Sequence, residues 1–144
     1  VRETRKRILE SGPAAYILAR QNPAGYWDAP EKFYTAKYTG TVWQVLMLAE
    51  LGAPGDDPRI RKACEFILDA AQDREGGGFS MKRSARNGGG LPGEVIPCLT
   101  GNMAWSLLRF GMGGDPRVQK AVDWICRYQR SDDGNTRPPA GPPL

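Results

Sequence analysis

Cys98 is the side chain whose neighbours best suit it to nucleophilic chemistry. It stands in Pro97-Cys98-Leu99-Thr100-Gly101-Asn102, at the head of an apolar stretch that reads as a helix. A helix N-terminus stabilises a thiolate and lowers its pKa. Cys98 is therefore a candidate catalytic residue, expected in the first turn of its helix and facing a concavity. The position also suits a packed structural thiol. Tyr34, Tyr38, Trp43 and Trp105 are candidate substrate-binding residues, because they lie on or just before apolar helical segments. Aromatic faces attract cations by about 0.5–2 kcal/mol, although rings on such helices also serve as plain core. Lys82-Arg83-Ser84-Ala85-Arg86-Asn87, set between glycine clusters, can hold a diphosphate or form a solvated loop. Asp28 and Glu31 could act as a glycosidase carboxylate pair, but nothing fixes their separation. The chain contains no histidine. The commonest metal ligand and the Ser–His and Cys–His pairs are thus missing from it, and no metal or other cofactor is expected.

The elements that carry these residues are repeated. Asp57-Pro58-Arg59-Ile60-Arg61-Lys62-Ala63-Cys64-Glu65-Phe66-Ile67-Leu68 returns as Asp115-Pro116-Arg117-Val118-Gln119-Lys120-Ala121-Val122-Asp123-Trp124-Ile125-Cys126. Each copy opens with an aspartate N-cap and a proline at the first helical position. Each also carries a one-sided apolar stripe, Ile60, Ala63, Cys64, Ile67 and Ala71 in the first and Val118, Ala121, Val122 and Ile125 in the second. The pattern predicts outer helices over 58–72 and 116–129. The stretches before them, 40–51 and 98–110, are apolar nearly all round and read as buried inner helices that stop at Gly52 and Gly111. Residues 3–10 and 14–20 read as helices broken at Gly12-Pro13. Residues 73–97 form a glycine-rich connection of a length that is usually functional or mobile.

The bulk properties are those of a globular chain of 144 residues with a formal charge of +4, too weak and diffuse to argue for nucleic acid. No apolar run is long enough to span a bilayer, and no firm membrane association is expected. Three cysteines without a CxxC pair point to a reducing, cytoplasmic compartment, with Cys64 and Cys126 as buried thiols. Val1 at the start and the proline-rich 135–144 at the end read as cut ends of something longer.

Each outer helix runs into a related phrase: Gln21-Asn-Pro-Ala-Gly25-Tyr26-Trp27, Gln72-Asp-Arg-Glu-Gly76-Gly77-Gly78-Phe79 and Gln129-Arg-Ser-Asp-Asp133-Gly134. Glutamine, polar turn, glycine and aromatic resemble the QW-type repeat of terpenoid cyclases. Leu-Gly, acidic turn, Asp-Pro-Arg helix and Gln…Gly are similar to the prenyltransferase and squalene-oxidase repeat. The resemblance runs from about Ala14 to Gly134. In physical terms the glutamine amide can donate to the open carbonyls of its own helix end, the glycine permits the reversal and the aromatic covers the turn. In the third copy Asn135 stands where an aromatic is expected. The resemblance implies an all-α fold, a partial α/α toroid of stacked helical hairpins with inner and outer layers. It divides residues 1–134 into units of about 39–76 and 100–134 plus a partial unit 1–27. It implies a squalene-cyclase/prenyltransferase-like protein that handles an isoprenoid small molecule, as a cyclase-like isomerase. The protonating Asp-x-Asp-Asp motif, the Asp/Cys/His zinc set and the aspartate-rich magnesium motif of these families do not occur. Asp56-Asp57 reads as helix-start chemistry and Asp132-Asp133 as part of a turn phrase, so whether the chain is an enzyme stays open. A helical-repeat scaffold or binding protein without catalytic motifs is the alternative. Two and a fraction hairpins cannot close a ring, so an exposed apolar edge is expected along the inner helices, with the remaining repeats of the protein packing on it.

Overall fold

The computed structural model describes residues 2–128, and these form an all-α fold. Six α-helices lie among the described residues: α1 (Arg2–Ile8), α2 (Pro13–Ala19), α3 (Thr41–Glu50), α4 (Pro58–Ala71), α5 (Pro97–Arg109) and α6 (Pro116–Tyr128). The Gln129 phrase and Asn135 lie outside the described residues.

The outer helices begin as their sequences dictate. The Asp57 carboxylate accepts the Arg59 backbone N–H at 2.8 Å, and Asp115 accepts that of Arg117 at 2.8 Å. In both copies the arginine folds back on the capping aspartate, with guanidinium contacts of 3.0 and 2.9 Å at Arg59 and 3.1 and 2.7 Å at Arg117. These guanidinium hydrogen bonds are the main reason that both carboxyls are held below the ordinary aspartate range.

The inner helices end alike. After α3 the Gly52 and Ala53 N–H groups donate to Ala49 and Leu48, and after α5 those of Gly111 and Met112 donate to Leu108 and Leu107. Gly52 has φ +73° and Gly111 φ +80°, so both ends are Schellman motifs built on left-handed glycine.

Packing follows from the two kinds of helix. α3 and α5 lie against each other, α4 packs on α3, α6 packs on α5, and α2 covers another part of α3. The core between them includes Phe33, Val45, Leu48, Ile60, Ile67, Phe79, Leu99, Met103, Leu107 and Val118, all essentially inaccessible. Burial of this apolar surface is the main source of stability, worth about 1.5–3 kcal/mol for each large side chain.

The 73–97 connection is ordered by its own backbone. Isolated antiparallel bridges pair Gln72 with Phe79, Ser80 with Val95 and Arg83 with Gly90, and there is no strand among the described residues. Ser80, Ser84, Gly89 and Gly90 are buried. The Gly90 N–H donates to Gln72 at 2.7 Å, bringing the loop tip onto the end of α4.

Candidate functional site

Three of the four candidate aromatics meet in one place. Tyr34, Thr35, Lys37, Tyr38 and Trp43 line a cup of about 390 Å³ at the start of α3. Tyr38 and Trp43 are tilted 49° to each other with ring centroids 5.5 Å apart. Tyr38 is 73% exposed, whereas Tyr34 and Trp43 are half-buried against the core. The cup sits on a tied segment. The Gln44 side chain donates to the Tyr38 carbonyl at 2.5 Å, and the Thr39 hydroxyl donates to the Asp28 carboxylate at 2.9 Å. Asp28 and Lys37 have φ of +61° and +52°, a left-handed conformation that is unusual for a lysine and costs on the order of 1–3 kcal/mol. Strain of this kind persists where the surroundings hold it, and Lys37 forms part of the cup wall. The buried indole N–H of Trp43 has no hydrogen-bond partner among the described residues, whereas that of Trp27 donates to Ile17 at 2.8 Å.

The other candidates lie elsewhere. Trp105 is on α5, 37% exposed, with the Arg109 guanidinium 5.7 Å from its ring centroid. Cys98 is in the first turn of α5, as expected, but it is exposed and is not among the residues that line the cup. Of the other two cysteines, Cys64 is buried and Cys126 is exposed. Burial pushes the Cys64 thiol up to about 12. In the basic loop Lys82 pairs with Glu94 at 2.9 Å and Arg83 with Asp69 at 2.9 Å, while Arg83 also donates to the Gly88 carbonyl at 2.6 Å. These cations fasten the loop. Glu31 is exposed on a short 3₁₀ turn, and Asp28 is engaged by Thr39. No group of three or more His, Cys, Asp or Glu side chains suited to a metal occurs among the described residues.

The glutamine phrases take a form that differs from the expected cap. Gln72 has extended backbone, φ −78° and ψ 127°, so its side chain leaves the axis of α4. Its amide donates to the Gly77 carbonyl at 2.9 Å and to the Arg117 carbonyl at 2.7 Å, in the first turn of the next outer helix. Gln21 does the same, donating to Gly25 at 3.3 Å and to Arg59 at 2.8 Å. Around each glutamine the same partners recur. The Trp27 N–H donates to the Thr41 hydroxyl at 3.0 Å, and the Phe79 N–H to the Thr100 hydroxyl at 2.9 Å. The Lys62 ammonium reaches the Pro23 carbonyl at 3.1 Å, and Lys120 that of Arg74 at 2.6 Å. Gly25 and Gly77 have φ of +98° and +89°, and a Cβ on either would come within 2.5 or 2.6 Å of the Lys62 or Lys120 carbonyl. Only glycine meets both demands.

Sequence reasoning found the glutamine, the glycine and the aromatic but missed the threonine and the lysine. The signal was present: Lys62 and Lys120 match within the repeat, and Thr41 and Thr100 lie in the first turns of the two inner helices.

No family model, curated protein or solved structure matches the chain. No helix of the described residues is long and apolar enough to cross a membrane.

Proposed function

We propose that the chain is part of an α/α-toroid protein of the terpenoid cyclase and prenyltransferase kind, and that it handles an isoprenoid ligand. The observation that carries this reading is the aromatic cup of Tyr34, Tyr38 and Trp43 at the start of α3. Three ring systems facing a concavity suit a chain of isoprene units, whose branched carbons bury apolar area without demanding hydrogen bonds. The duplicated hairpins, joined by glutamine, support the toroid arrangement that the repeat resembles.

A second reading, a binding or scaffold repeat without catalysis, is favoured by one observation. Asp57 and Asp115 cap their own helices, Gln72 and Arg83 join separate elements, and Lys82 pairs within the glycine-rich connection, so each of these polar groups already serves the fold. The reading of the cup is tested by calorimetric titration with farnesol. Saturable binding with a negative heat-capacity change, lost in the Tyr38→Ala/Trp43→Ala double variant while its fold is retained, supports it. Equal heats from both proteins overturn it.

A further inference from the structure

The second hairpin covers the first, and the contacts that do so have counterparts on its own far side. In the outer layer Cys64, Ile67 and Leu68 of α4 are buried. Their matches on α6 are Val122 and Ile125, half-buried, and Cys126, exposed. In the inner layer Leu46 and Ala49 of α3 match Trp105 and Leu108 of α5. Leu46 is half-buried and Ala49 fully buried, whereas Trp105 is 37% and Leu108 45% exposed. The far side thus repeats the apolar positions that the first hairpin hides, and leaves them open.

Charge says what fits there. The Arg117 guanidinium, in the first turn of α6, grips Glu65 of α4 with two hydrogen bonds of 2.8 and 3.0 Å. Asp123 is the residue of α6 that matches Glu65. It is exposed and forms no ion pair among the described residues. An acidic side chain therefore waits where the preceding unit receives an arginine from the next.

We propose that the α5/α6 edge is a docking surface for one more hairpin of this design, whose outer helix opens with Asp-Pro-Arg and sets its arginine on Asp123. The incoming inner helix covers Trp105 and Leu108, and the incoming outer helix covers Cys126. The register is that of α5/α6 on α3/α4, since the same matched positions supply the contacts. This inference is independent of any ligand.

The test is a chain extended by one unit. Residues 71–128 are inserted a second time between Tyr128 and Gln129, with serine replacing both cysteines of the inserted copy. Iodoacetamide labelling of the original Cys126 is expected to slow about tenfold or more relative to the parent chain, with Cys98 labelled at the parent rate. Asp123→Arg in the extended chain should restore fast labelling of Cys126, and the matching arginine-to-glutamate change in the inserted copy should slow it again. In the parent chain Asp123→Arg should leave the melting midpoint unchanged. Cys126 labelling at the parent rate in the extended chain overturns the proposal. So does protection that the Asp123→Arg change leaves intact, because the arginine would then have no part in the docking.

Discussion

The Gln72 amide donates to the main-chain carbonyl of Arg117 at 2.7 Å across 45 residues of sequence. It fixes the end of one outer helix to the beginning of the next, and Gln21 fixes the preceding turn to Arg59 in the same manner. A side chain that reads in the sequence as the finish of one helix holds two units together.

Stability should report this difference. Gln72 is buried and makes two hydrogen bonds, so Gln72→Ala removes both and is expected to cost about 1–3 kcal/mol. Gln21 is only half-buried, and Gln21→Ala is expected to cost less. Urea unfolding of both variants measures the order; equal losses would show that the two junctions do not differ as their burial implies.

The aspartate caps set an acid limit. Asp57 and Asp115 have folded-state pKa values below the unfolded value near 3.8. Their contribution is present above that value and is lost as pH falls from it through the lower folded values. The melting midpoint should therefore fall as pH drops below about 4. The Asp57→Asn/Asp115→Asn variant keeps a capping side chain but carries no charge. Its midpoint should fall less steeply over the same range, and a slope equal to that of the parent would place the acid sensitivity elsewhere.

Thiol labelling should divide the three cysteines. Cys98 and Cys126 are exposed, whereas burial inside α4 pushes Cys64 up to about 12. Two equivalents of iodoacetamide are expected to enter the native protein at pH 8, and the third only after denaturation. Fast labelling of Cys64 in the native chain would contradict its packing in the core.

Much of the fold was legible because its signals are local. Asp57-Pro58 and Asp115-Pro116 fix two helix starts, and Gly52 and Gly111 fix two ends; the helices fall within one or two residues of the expected spans. The junctions were legible only in part. Which carbonyl Gln72 meets depends on where α6 begins, far along the chain. Periodicity also could not separate the aromatics. Trp43 and Trp105 both stand on apolar helices, yet Trp43 matches Asn102 in the other copy, whereas Trp105 matches Leu46 on the side the next unit would cover. The glycine-rich connection read as a long open loop because its order comes from paired backbone, to which composition is blind.

The central claim is that the cup, and not the apolar edge of α5, holds the ligand. Photocrosslinking with a benzophenone-bearing farnesol analogue, followed by peptide mapping, tests it most directly. The account predicts adducts confined to residues 34–43, suppressed by excess farnesol. Adducts centred on Trp105 and Leu108, or labelling that farnesol does not suppress, would contradict it.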